Sequence, residues 1–216
     1  TSILLQHGYF LHTTMISINN DSPRIVVVDN FLKNPNELRN RALLLKDTYK
    51  QRGSAGVRTE PQKWGIEFKP HFEKLLNKKI TTFNLSEEGG GTNCCFQWCD
   101  QYTEQVIHAD ECNSAGVLYL TPNAPASSGT DFYVHRKTGY TSIKNLGKEA
   151  VDKLFETGWQ DFTPWEKIDS VSNVYNRLIL FDGRYFHSAA PYFGDSIENG
   201  RLFMVFFFSV EESNEW

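Results

Sequence analysis

The chain has 216 residues, enough for one sizeable hydrophobic core, and its 40% hydrophobic and 22% charged residues exclude a disordered chain. The net charge of −4, with no run of Lys or Arg to form a phosphate track, argues against nucleic acid as a partner. No stretch approaches the roughly 20 apolar residues that a membrane helix needs.

The N-terminal run TSILLQHGYFLHTT precedes the first methionine, Met15. It has neither a basic start nor a small-residue cleavage site, so it makes a poor signal peptide. Residues 1–14 are therefore expected to be a leader or an upstream-derived segment, and residues 15–216 a single domain. Cytoplasmic is the default location. Ile25–Asp29 (IVVVD) is a β-branched run and predicts a strand. Asn34 and Pro35 predict the start of a helix running to about Lys46, with Asn34 as N-cap and Leu38, Ala42 and Leu45 at helical spacing. Residues 50–66 hold three Gly, a Pro and scattered charges and read as a loop. A second helix is expected over Lys69–Lys79, with Phe72, Leu75 and Leu76 as its apolar face.

From Ile80 the pattern changes. Short β-type runs (TTFNL, TNCCFQW, QVIHAD, AGVLYLT, TDFYVH, NRLILF, YFHSAA and RLFMVFFFSV) alternate with Gly, Asn, Pro and Ser clusters, and a helix is expected at Leu146–Thr157. The sixteen Phe, nine Tyr and five Trp suit a β-rich core. The expected architecture is mainly β with flanking helices, a double-stranded β-helix of the cupin-like jelly-roll kind with its core at about 80–210. Cys94, Cys95, Cys99 and Cys112 contain no C-x-x-C pair, so they read as reduced core thiols rather than a zinc site.

His108-Ala109-Asp110 closes the run QVIHAD. In a strand, residues two apart face the same way, which places an imidazole and a carboxylate side by side. Two histidines and one carboxylate make the facial set that leaves three positions of a non-haem iron(II) ion open. Alone, H-x-D is a weak signal, and a strand-end His–Asp pair is commonly a surface hydrogen bond. For the third ligand, His7 and His12 sit in the doubtful leader and His71 in a helix. His135 and His187 remain, both in strand-like segments, with His187 in a late strand able to close beside the first pair. Arg201 opens the apolar run RLFMVFFFSV. At the mouth of a buried strand a guanidinium costs desolvation unless an anion meets it, and its planar fork suits a carboxylate. Taken alone, such a strand-end arginine more often reaches solvent or pairs with a nearby carboxylate, here Asp195 or Glu198.

The ordered set resembles the prolyl 4-hydroxylase-like branch of the iron(II)/2-oxoglutarate dioxygenases. The resemblance spans about residues 92–210 and rests on His108-Ala109-Asp110, Val117-Leu118-Tyr119-Leu120, Gly129-Thr130-Asp131-Phe132, His187 and Gly200-Arg201. It implies Fe(II) held by His108, Asp110 and His187, with 2-oxoglutarate as co-substrate. Arg201 would grip its distal carboxylate, helped by Tyr119 or Thr121. It also implies hydroxylation of a prolyl or other amino-acid side chain in a peptide or small molecule, with decarboxylation to succinate and ascorbate in support. Related halogenases lack the carboxylate that Asp110 supplies, which favours hydroxylation. Two departures stand out: an arginine replaces the branch's more usual lysine, and its spacing from His187 is longer than the commonest form. His135, Arg136, Arg184, Trp98 and Tyr102 are candidate substrate contacts, and the segments 50–66 and 140–167 are candidate lids. The alternative is a non-catalytic cupin-like metal-binding or regulatory module, which has no need of an inward-facing Arg201. Oligomeric state leaves no sequence signature here.

Overall fold

In a computed structural model, residues 13–16, 25–51, 55–86 and 91–212 are described. Most of the expected leader lies outside them, as do His7 and His12. The described chain runs β1 (Thr13–Ile16), β2 (Ile25–Val28), α1 (Pro35–Leu44), β3 (Lys50–Gln51), β4 (Val57–Arg58), α2 (Lys69–Leu76), β5 (Ile80–Thr82) and β6 (Phe96–Cys99). It continues through β7 (Ser114–Tyr119), β8 (Thr130–His135), α3 (Lys148–Leu154), β9 (Trp165–Val171), β10 (Leu178–Phe181), β11 (His187–Ala189) and β12 (Arg201–Val210).

The larger sheet has the order β1-β2-β10-β7-β12-β6-β4-β3, with β5 also paired to β12, and a three-stranded sheet has the order β11-β8-β9. The chain leaves the larger sheet after β7, builds β8 and β9 in the smaller one, then crosses back and forth through β10, β11 and β12. That alternation, with antiparallel pairing throughout, is the expected jelly roll.

The period of two along β12 divides the molecule into layers. Leu202, Met204, Phe206 and Phe208 face outward into a cluster with Leu38 and Ala42 of α1 and Phe72 of α2. Phe206 meets Phe68 and Phe72 edge-on, at ring separations of 5.0 and 4.8 Å. Phe203 and Val205 face inward, toward Tyr119, Ile179, Phe181 and Phe132 in the space between the sheets. A third cluster of Ile107, Leu154, Phe155, Trp165 and Phe186 seats α3.

Several local expectations need correction. Asn34 precedes α1 but its side chain makes no capping hydrogen bond. The 50–66 segment is not wholly loop, since β3 and β4 extend the larger sheet there and a 3-10 helix starts at Lys63. β9 has no counterpart among the predicted runs. The segment 105–110 is irregular and carries only an isolated bridge, His108 to His187.

Candidate metal centre

His187 opens β11, whose register against β8 sets it opposite Phe132. His108 reaches it without a regular strand. The His108 amide donates to the His187 carbonyl at 3.0 Å, and the His187 amide donates back to the His108 carbonyl at 2.8 Å. Such a reciprocal pair fixes the two residues opposite one another, and their rings lie 4.3 Å apart. Asp110 is pinned separately, its amide donating to the Gly183 carbonyl at 2.7 Å. Gly183 has no room for a side chain, because a Cβ there would lie 3.0 Å from Asp110 Oδ2 and 2.9 Å from the Cys112 carbonyl oxygen.

These contacts bring one ligand atom from each of His108, Asp110 and His187 within 4.8 Å of one another. Asp110 lies 3.9 Å from His108 Nε2 through one oxygen and 3.7 Å from His187 Nε2 through the other. Burial holds both imidazoles down to about 4, with the adjacent His187 adding to the effect on His108. Both rings are thus neutral near pH 7. His187 Nδ1 lies 2.8 Å from the Tyr185 carbonyl oxygen, so it carries the proton and donates it there, and Nε2 keeps its lone pair toward Asp110. Burial pushes the Asp110 carboxyl up, and its Oδ2 accepts no hydrogen bond among the described residues. An orphaned, desolvated carboxylate beside two neutral imidazoles is the donor set a divalent cation satisfies, since the ion's charge offsets the desolvation. The residues therefore fit a divalent metal ion.

The three residues line a pocket of about 600 Å³, its open mouth included, shared with Arg58, Gln97, Thr130, Tyr192 and Arg201. Arg201 is only 2% exposed. Its Nε donates to the Ser128 carbonyl at 3.1 Å and a terminal nitrogen donates to the Gly129 carbonyl at 2.9 Å. The rings of Phe203, Tyr119 and Tyr192 surround its guanidinium at 4.4 to 5.6 Å. Among the described residues no carboxylate forms an ion pair with it, and neither Asp195 nor Glu198 serves it. Asp195 instead accepts from Asn199, and the Glu198 carbonyl accepts from Arg39. Gly129 is needed for this arrangement, because a Cβ there would lie 1.7 Å from the Val171 carbonyl oxygen.

A family model described as "Family of unknown function (DUF6445)" matches residues 11–208. The chain belongs to that family. No curated protein matches this DUF6445 chain. Among solved structures it is similar to a prolyl hydroxylase in complex with a hypoxia inducible factor oxygen degradation domain peptide fragment from Trichoplax adhaerens. That match has a TM-score of 0.50 and 15% identity, over 86% of this chain and 83% of that one. It is also similar to HygX from Streptomyces hygroscopicus with nickel, 2-oxoglutarate and hygromycin B bound, with a TM-score of 0.50 and 12% identity over 89% and 85% of the two chains. The non-heme alpha ketoglutarate dependent epimerase SnoN from nogalamycin biosynthesis matches with a TM-score of 0.50 and 13% identity, over 84% and 76%. The likeness is one of fold.

The remaining candidates of the DUF6445 chain are scattered. Tyr119 is fully buried behind Thr130, hydroxyl to hydroxyl at 2.8 Å, and close to Arg201. The Thr121 hydroxyl donates to the Gly200 carbonyl at 2.6 Å and accepts from the Leu202 amide at 2.9 Å, so it ties down the start of β12 and does not line the pocket. His135, Arg136, Arg184, Trp98 and Tyr102 do not line it either. His135 pairs with Thr138, Arg136 with Glu166, and Arg184 with Asp182 and Glu212. The Trp98 indole donates to the Ser196 carbonyl, and Tyr102 is exposed. Ala55 and Arg58, from the expected 50–66 lid, do line the pocket, whereas no described residue of 140–167 does. Sequence reasoning missed Arg58 and Gln97. A lone polar residue inside the apolar run CCFQWC was the available signal for Gln97.

Proposed function

We propose that this protein is an Fe(II)- and 2-oxoglutarate-dependent dioxygenase that hydroxylates an amino-acid side chain, prolyl or other, in a peptide or a small molecule. The observation that carries the reading is Arg201: a buried guanidinium with no carboxylate partner among the described residues, lining the same pocket as a His–Asp–His set with a carboxylate oxygen that lacks a donor among them. A metal-only module has no use for such a cation. Fold relatives solved with 2-oxoglutarate and nickel, or with a peptide, support the same reading.

His108, Asp110 and His187 would hold the ion. Iron(II) with 2-oxoglutarate supplies the oxidising chemistry, using dioxygen to yield succinate, carbon dioxide and a hydroxylated product. The chain's own contribution is orientation and exclusion. Arg201 binds the distal carboxylate of 2-oxoglutarate with its fork, held rigid by the Ser128 and Gly129 carbonyls. The Tyr185 carbonyl fixes the tautomer of His187. Val117, Phe181, Phe203, Val205 and Phe207 line the pocket with apolar surface that keeps water from the reacting centre.

The test incubates anaerobically purified protein with Fe(II), 2-oxoglutarate and ascorbate, admits oxygen, and measures succinate. Succinate formation, together with thermal stabilisation by 2-oxoglutarate in the presence of Mn(II), is the expected result. Absence of both would bring the reading down.

A further inference from the structure

The pocket presents a second guanidinium that 2-oxoglutarate chemistry leaves unused. Arg58 on β4 sits opposite Gln97 on β6, Gln97 opposite Phe203 on β12, and Phe203 opposite Tyr119 on β7. These four residues form one row across the inner face of the larger sheet. Arg201 registers with Cys99, one step along the same face. The two arginine positions are thus two strand spacings apart, or about 10 Å across the sheet. Both line the pocket that holds the metal ligands.

Arg58 is oriented with care. Its Nε donates to Gln97 Oε1 at 2.7 Å. Gln97 is 3% exposed, and its own Nε2 donates to the Ala55 carbonyl at 2.8 Å, which settles which end of the amide faces Arg58. The Phe207 ring flanks the guanidinium at 6.0 Å. Among the described residues, neither terminal nitrogen of Arg58 donates to an acceptor and no carboxylate forms an ion pair with it. What remains is a two-nitrogen edge, held flat and half-buried in a pocket, and such an edge matches a carboxylate through two parallel hydrogen bonds.

We infer that Arg58, positioned by Gln97, anchors a carboxylate of the primary substrate, so that the substrate is a small carboxylic acid such as a free amino acid, or a chain-terminal residue, and not an internal residue of a peptide. The inference rests on the oxygenase reading, in which Arg201 and the metal hold the co-substrate's two ends. An internal residue brings only neutral amides beside its α-carbon, and these would give the two terminal nitrogens of the desolvated Arg58 no anionic acceptor. A free carboxylate supplies that charge and fixes which carbon points toward the metal.

Calorimetry on the protein loaded with Mn(II) and 2-oxoglutarate under anaerobic conditions tests this. The panel holds free amino acids, the same amino acids as C-terminal amides, N-acetylated dipeptides with free C-termini, and a prolyl peptide blocked at both ends. At least one free carboxylate should bind, with its amide at least tenfold weaker, and the dipeptides distinguish a chain terminus from a free amino acid. Arg58→Gln should abolish that preference while leaving 2-oxoglutarate affinity within twofold. Gln97→Glu, which keeps Arg58 but presents it with a fixed carboxylate, should weaken the acid by tenfold or more. Equal binding of acid and amide, binding of the blocked peptide alone, or no binding by any free carboxylate would overturn the inference. So would an Arg58→Gln loss of 2-oxoglutarate as large as that of Arg201→Ala, which would make Arg58 part of the co-substrate seat. Failure of the wild-type protein to bind 2-oxoglutarate with Mn(II) would instead remove the oxygenase reading, and the inference with it.

Discussion

The two faces of the larger sheet share their strands and have opposite chemistry. On the helix-backed face, Leu118, Leu180, Met204 and Phe206 pack against α1 and α2 in a dry apolar layer. On the inner face, the alternate positions of the same strands put Arg201, Gln97 and Tyr119 among apolar neighbours, and these polar groups are buried. The outer face stabilises the protein, at about 25 cal/mol for each Å² of apolar surface removed from water. The inner face carries desolvated polar and charged groups that cost stability, the cost expected of the proposed co-substrate seat. Alternation along each strand lets one set of backbone hydrogen bonds hold both.

Substitutions can break that division, and the largest effect should come from the outer face. Phe206→Ala should lower unfolding free energy by about 3–5 kcal/mol, read from urea denaturation, while the protein that remains folded keeps its metal stoichiometry. Arg201→Ala should reduce 2-oxoglutarate affinity by about a hundredfold, from the loss of charge-assisted hydrogen bonds worth roughly 1.5–3 kcal/mol each, with metal content unchanged. Loss of metal in that variant would mean that Arg201 supports the ligands instead. Gly183→Ala drives a Cβ against the Asp110 carboxylate and should weaken Mn(II) binding by about tenfold, as disturbance of a ligand's surroundings commonly does. Its 2-oxoglutarate response should fall only in step with metal occupancy.

The smallest effect lies outside both faces. Arg177 holds the Asp29 carboxyl below its ordinary value through a bidentate hydrogen bond. That gain is complete above the unfolded value near 3.9 and disappears as pH falls through the lower folded value. Asp29→Asn should therefore flatten stability against pH only below about pH 4, by well under ~1 kcal/mol given the solvent screening of a half-exposed pair. An effect persisting at pH 7 and exceeding 1 kcal/mol would show that Asp29 does more than pair with Arg177.

Long apolar segments were easy to read in the sequence. β8 and β12 coincide with the runs TDFYVH and RLFMVFFFSV, because both are buried along nearly their whole length. Leu38 and Ala42 identify the buried face of α1 for the same reason. β9 was not legible: only Trp165 and Val171 at its ends are buried, so its sequence shows no alternation. Arg58 was hidden because β4 is two residues long and no period fits in two residues. His108 and Asp110 were found through strand periodicity, yet they meet for another reason. Two backbone hydrogen bonds to His187 and one to Gly183 orient a segment that forms no named strand, and tertiary contacts of that kind leave no trace in local sequence.

The reciprocal bonds between His108 and His187 form a seam only one residue wide on each side. The Ile107 amide on the Trp159 carbonyl and the Asp110 amide on the Gly183 carbonyl hold the same segment, and no named strand extends the pairing at His108. An ion bridging the two side chains would clamp the seam from within. The amide protons of His108 and His187 would then act as internal reporters of loading, exchanging with deuterium quickly in the stripped protein and slowly in the loaded one, while those of β12 stay indifferent to the ion.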